Sequence, residues 1–267
     1  MDTSCQRGRA RRRPALHAET AVFLALAGFF AGLVDSVVGG GGVISLPALL
    51  LAGVPPQMSL GTNKLAGTCA SLTASAVFAR ARRMDGRVLR VALLPVALAS
   101  GAGAFLAAHL EPGAIRVLIL LAVLAAAAWA GLRPVRDDAG RPRPTGPVRL
   151  VGTCLLVAIG FYDGILGPGT GLFLFAVLVA LEGIAFVEAA GTGRALNLAS
   201  NVAALLVFAL LHKVDVLVGV TMGVGVIVGA RTGATMAISR GAAFVRPMLL
   251  LAAALIALRL GLQLLGC

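Results

Sequence analysis

Two aspartates, Asp35 and Asp163, stand inside hydrophobic stretches, and each is followed within a few residues by a run rich in glycine. The first run is Gly39, Gly40, Gly41 and Gly42; the second is Gly167, Pro168, Gly169, Thr170 and Gly171. A helix broken at glycines leaves backbone N–H groups unpaired, and positive φ lets glycine aim several of them at one point. The helix that restarts beyond the break offers the positive end of its dipole at the same place. Such a break is a ready receiver for an oxyanion. Two cations complete the set: Lys64, the only lysine inside an apolar stretch, and Arg194 in the matching part of the second half. Asn63, Asn197 and Asn201 are candidate hydrogen-bond donors beside them, with Thr62 and Thr192 as weaker ones.

Composition decides what kind of element must hold these groups. Of 267 residues, 59% are hydrophobic and 13% charged, and mean hydropathy is +0.96. A soluble domain carries about 25% charged residues. Nearly uncharged stretches at 20–38, 60–79, 91–110, 114–132, 148–167, 189–211, 214–238 and 244–264 can each cross a hydrocarbon core of about 30 Å. Two shorter pieces, 43–54 and 171–181, follow the breaks and are too short to span alone. The expectation is an all-α polytopic membrane protein of about eight transmembrane helices. Long unbroken apolar runs exclude a β-barrel.

The net charge of +12 does not point to nucleic acid, because fifteen of 21 arginines fall in three segments, 7–13, 80–90 and 133–149. These are the N-terminus and two loops between spans, where the positive-inside rule puts them. Placing all three in the cytoplasm requires two crossings between each neighbouring pair. The short pieces then become re-entrant half-helices, and both termini are expected in the cytoplasm of a bacterial inner membrane. On this reading Asp85 and Asp215 lie in cytoplasmic loops, and Glu182 and Glu188 flank an outer one. The first apolar run continues through Asp35 into its break with no small-residue cleavage pattern, so it reads as a retained span.

The two breaks belong to a longer repeat. Asp35 and Asp163, Gly39 and Gly167, and Gly41 and Gly169 are each offset by 128 residues. After a two-residue insertion the offset becomes 130, matching Lys64 with Arg194, Asp85 with Asp215, and Gly103 with Gly233. The expected organisation is a basic N-terminus (1–18), a first transmembrane repeat (19–132), a Pro/Gly/Arg linker (133–147) and a second repeat (148–264). Four spans per half make the repeats parallel. Counting the short pieces as crossings makes five per half and inverts them, as in many transporters, but puts 80–90 outside; four plus four is the expectation. Asp35 and Lys64 then sit about 24 Å deep by helical rise, level enough to pair within their half. Asp163 lies about 21 Å and Arg194 about 28 Å from the ends assumed for them. Gly103, Gly223, Gly225, Gly229 and Gly233 are read as contacts between packed helices.

At the stretch 39–50 with Leu60, Gly61, Thr62, Asn63 and Lys64, and at 160–171 with Asn197, Leu198, Ala199, Ser200 and Asn201, the chain resembles the sulfite exporter TauE/SafE family. The resemblance covers about 20–262 and rests on both motifs, their order and the duplication. It implies a bacterial inner-membrane carrier of sulfite or a small organosulfonate. Members of the family often carry Lys where this chain has Arg194, which keeps the charge but changes the hydrogen-bond geometry.

The reading that follows is a secondary transporter of a small anion. Gly39, Gly40, Gly41, Gly42, Gly167, Gly169, Thr170 and Gly171 supply backbone donors; Lys64 and Arg194 supply charge; and Asn63, Asn197 and Asn201 supply amides. The anion is expected between the two breaks. Asp35 and Asp163 are expected to orient the cations or exchange protons, which makes protons the candidate coupling partner beside the lipid bilayer. Alternatives are a carrier for another oxoanion or a carboxylate, and a passive anion channel. No cofactor or metal motif is present: Cys5, Cys69, Cys154 and Cys267 lack ligand spacing, and His109 and His212 lie at span ends. No nucleophile or metalloprotease motif suggests an enzyme.

Overall fold

The computed structural model describes residues 17–111, 113–115, 146–241 and 244. The arginines at 7–13, the expected span 114–132 but for its first two residues, the linker from 133 to 145 and, apart from Phe244, the span 244–264 lie outside the described residues. Among the described residues the chain is all-helical. Its helices are α1 (Ala18–Val38), α2 (Gly42–Leu51), α3 (Pro56–Arg80), α4 (Gly86–His109), α5 (Pro147–Ile165), α6 (Thr170–Ala180), α7 (Phe186–Leu210) and α8 (Val216–Arg240).

Local chemistry sets the boundaries. Pro56 and Pro147 open α3 and α5 at the position where a missing N–H costs nothing. Asp85 caps α4 by accepting from Arg87 N and Val88 N, and Asp215 caps α8 by accepting from Val218 N. Gly39 closes α1 at φ 77°, its N–H bonded to the Asp35 carbonyl, and Gly169 opens α6 at φ 80°. Among the described residues five helices, α1, α4, α5, α7 and α8, are long and apolar enough to cross a membrane. The 25 residues of α3 match them in length, but Gln57, Ser59, Thr62, Asn63 and Lys64 lower its hydropathy. The outward faces carry Leu94, Leu98, Leu206, Leu210, Val224 and Val228, all exposed, as a lipid-facing surface requires.

Contacts between helices fix their directions. Gly28 meets Met222, Gly32 meets Val226 and Gly229 meets Phe29 and Leu33, so α1 and α8 are parallel. Gly160 meets Val96 and Gly164 meets Ser100, so α4 and α5 are parallel. Lys213 meets Gly61 and Cys69 meets Gly223, aligning α3 with α8. Ser100 donates to the Ser200 carbonyl and Asp85 N to Thr192, aligning α4 with α7. By contrast, Gly61 meets Phe208, Gly67 meets Asn201 and Gly191 meets Phe78, so α3 and α7 are antiparallel. Hence α1, α3 and α8 run one way, and α4, α5 and α7 the other.

This corrects the parallel arrangement. The matched helices α1 and α5 run in opposite directions, and so do α3 and α7. Because α1 and α3 point the same way, α2 and the chain around it must carry the backbone back between them. The N-terminal end of α1 and the 80–90 loop therefore lie on opposite faces and cannot both be cytoplasmic. Two contacts make the same point: Arg83 pairs with Glu188 at 2.9 Å, and Lys213 donates to the Ala108 carbonyl, each joining loops expected on opposite sides. Asp85 and Asp215 sit on opposite faces as well.

Candidate functional site

The breaks bring α1, α2, α5 and α6 together, and α3 and α7 cross beside them. Gly171 N–H donates to the Gly39 carbonyl at 3.2 Å, joining one break to the other. A Cβ on Gly171 would lie 2.2 Å from Gly39 Cα and 2.1 Å from Arg194 Nη2, so only glycine fits where the backbones and the guanidinium meet. At Gly39 and Gly171 the two breaks touch, leaving no room for an anion between those two residues.

The charges pair across the halves rather than within them. Lys64 Nζ lies 3.0 Å from Asp163 Oδ2, and Arg194 Nη1 lies 2.9 Å from Asp35 Oδ2. No ion pair joins Asp35 to Lys64 or Asp163 to Arg194. Lys64 and Arg194 are each 1% exposed, and Asp163 is 2%. Lys64 also donates to the Asp163 carbonyl, and Ser200 Oγ donates to Asp163 Oδ2 at 2.6 Å. Arg194 Nη1 reaches Asn197 Oδ1 at 3.3 Å. The other oxygen of Asp35 accepts from Gly41 N at 3.1 Å, at the N-terminus of α2. Arg194 Nε is buried with no hydrogen-bond partner.

A cavity of about 30 Å³ lies at the centre, room for about two waters. Its walls include Asp35, Gly39, Gly41, Gly42, Asn63, Lys64, Asp163, Gly167, Thr170, Gly171, Asn197 and Asn201. Of the sequence-derived set, Gly40, Gly169 and Arg194 do not line it; Arg194 reaches Asp35, which does. Asn201 donates to the Asn197 carbonyl at 2.8 Å, and Thr170 Oγ1 donates to the Gly167 carbonyl at 2.8 Å. Thr62 and Thr192 act elsewhere. Each hydroxyl accepts the N–H of the helix-capping aspartate from the other half, Asp215 and Asp85 respectively, at 2.9 Å.

Ser45 and Ser200 belong to the site without standing out in the sequence. Ser45 Oγ bonds to Asn63 Oδ1 at 2.5 Å and to the Gly41 carbonyl at 3.0 Å. The signal for Ser200 is present in the spacing, since Arg194, Asn197, Ser200 and Asn201 share one face of α7 by helical periodicity.

A helical bundle with an apolar exterior, broken helices and buried crossed ion pairs at its centre defines a polytopic membrane protein. The chain belongs to the sulfite exporter TauE/SafE family, whose model matches residues 24–260. It is 40% identical over 242 residues to the probable membrane transporter protein ORF9 of a Sinorhizobium species, covering 89% of this chain and 91% of that one. A probable membrane transporter protein of Haemophilus influenzae is 35% identical over 224 residues, covering 84% and 88%. The probable membrane transporter protein YfcA of Escherichia coli K12 is 32% identical over 233 residues, covering 86% and 85%. No solved structure matches.

Proposed function

We propose that this protein is a secondary transporter exporting sulfite or a small organosulfonate across the bacterial inner membrane, with proton exchange at Asp35 and Asp163. Its working unit is a pair of inverted repeats, 19–132 and 148–264, each with a glycine-broken re-entrant hairpin, joined by the linker 133–147. The observation that carries the reading is that Lys64 and Arg194, both 1% exposed, meet the glycine breaks around a central cavity. Two buried cations with amide and backbone donors beside them suit an oxyanion. A central cavity of only about 30 Å³ suits alternating access better than an open pore. Gly39, Gly40, Gly41, Gly42, Gly167, Gly169, Thr170 and Gly171 are the proposed backbone contacts, with Asn63, Asn197 and Asn201 beside the charges.

Flux of sulfite, sulfoacetate and chloride into proteoliposomes, with and without a pH gradient, tests this. Saturable sulfite or sulfoacetate flux is expected, reduced at least about tenfold by Lys64→Ala or Arg194→Ala, the size of one lost charged hydrogen bond. Folded variants with unchanged flux would remove both cations from the site. Movement of a different anion alone would change the substrate class.

A further inference from the structure

We infer that Asp35 is a tethered occupant of the anion site, and that an anion binds at Arg194 and Gly41 only as Asp35 is displaced and takes up a proton. The inference rests on the reading of the protein as an anion carrier and specifies how protons enter it. An oxyanion at this centre wants two things: a backbone N–H at a helix N-terminus and a guanidinium. Both are present, and both are taken by one carboxylate, Asp35, through Gly41 N at 3.1 Å and Arg194 Nη1 at 2.9 Å.

The fit is incomplete in an informative way. Arg194 Nε is buried and unpartnered, which is costly for a donor in a dry interior. The side-chain carboxylate engages the guanidinium through Nη1 alone. A sulfite or sulfonate group carries three oxygens, and its bidentate contact with a guanidinium would use the donor that Asp35 leaves idle. The second half is built differently. Asp163 bonds to Lys64 and Ser200 and not to a break amide, while the α6 amide of Gly171 is spent on the Gly39 carbonyl. The exchange site is therefore the first break.

Displacement without protonation would leave a bare carboxylate beside the arriving anion, with no second cation free to pair it. The charged groups around the site are few. Arg194 faces Asp35 from α7; Lys64 of α3 and Asp163 of α5 line the same cavity and pair with each other. From α8, the residues against α1 nearest Asp35 are Val226, Gly229, Ala230 and Gly233, all uncharged. Protonation gives a neutral acid that can leave Arg194, and one proton accompanies one anion. On anion release the proton departs and the carboxylate returns to Gly41 N and Arg194, so the site is never left empty of negative charge.

The test is binding of methanesulfonate, the anion of a strong acid whose charge does not change over the pH range a protein tolerates, to the full-length protein in nanodiscs. Sulfite is run in parallel. Wild-type affinity is expected to tighten by up to about tenfold for each unit of acidification, with about one proton taken up per anion in calorimetry across buffers of different ionisation enthalpy. Asp35→Asn should bind with no pH dependence and more tightly than wild type at the alkaline end. A flat wild-type profile without proton uptake overturns the inference while leaving the carrier intact, and needs no variant to fold. Asp35→Asn with the wild-type slope overturns it equally. Failure of the wild type to bind either anion at any pH overturns the carrier reading itself.

Discussion

A buried cation at bilayer depth costs a few kcal/mol on insertion scales, so Lys64 and Arg194 persist only because each has a carboxylate at hydrogen-bonding distance. That carboxylate comes from the other half of the chain, and neither half neutralises its own cation. The two pairs also differ in kind. Arg194 stays charged under all conditions and offers a planar fork, whereas Lys64 is a compact ammonium with rotatable donors. Removing one partner of a buried pair strands the other, so Lys64→Ala is expected to destabilise the protein by about 3–5 kcal/mol. Lys64→Ala with Asp163→Ala should cost clearly less than the sum of the singles, because neither charge is then left alone. Thermal unfolding in detergent for this cycle, beside the same cycle for Lys64 and Asp35, reads the pairing directly. Strong coupling in the Lys64–Asp35 cycle and none in the Lys64–Asp163 cycle would restore pairing within a half.

At the scale of elements, glycines let α1 lie on α8 and α4 on α5 at backbone contact. A Cβ on Gly225 would stand 1.9 Å from the Ala25 carbonyl oxygen, and one on Gly164 would stand 2.0 Å from that of Ser100. No side chain can yield there, so Gly225→Ala must push two helices apart, at about 1–3 kcal/mol for overpacking. Gly223→Ala is the nearby control: its Cβ would meet only Cys69 Sγ, at 3.5 Å, an ordinary contact. Melting temperatures should fall for Gly225→Ala and stay within error for Gly223→Ala; equal effects would mean the seam does not govern stability. The breaks, the short helices, the repeated aspartates and the seam glycines other than Gly223 are legible, because each is written in residues close together in the chain. Direction is not, because it was inferred from arginine counts alone. The within-half pairing drawn from the depths fails for the same reason. Counted from the faces their helices actually start or end on, Asp163 and Lys64 lie about 21 and about 24 Å from one face, and Asp35 and Arg194 about 24 and about 28 Å from the other. The same arithmetic then yields the crossed pairs.

For the whole molecule, antiparallel halves give the two faces unlike charge. Arg80, Arg82, Arg83, Arg87, Arg90, Arg149 and Arg240 gather at one end of the bundle, where α3 and α8 finish and α4 and α5 begin. Lys213 alone among described lysines and arginines lies at the opposite end, with Asp215 and Glu111. By the positive-inside rule the arginine face is predicted to be cytoplasmic, which would send the N-terminal end of α1 to the other side. Inverted halves also give alternating access a simple form, since exchanging their conformations exchanges the side on which the centre opens. Sidedness is measurable with single cysteines at exposed positions, in a background where Cys5, Cys69, Cys154 and Cys267 are replaced. Ala81→Cys keeps every arginine and lies in the 80–90 loop; His17→Cys precedes α1. A membrane-impermeant maleimide applied outside should label His17→Cys and spare Ala81→Cys, with the reverse in inverted vesicles. Labelling of both from one side would overturn the antiparallel arrangement of the halves. Opposite sides with the assignments exchanged would keep the fold and show that the arginines at 7–13 outweigh those of the loops in setting orientation.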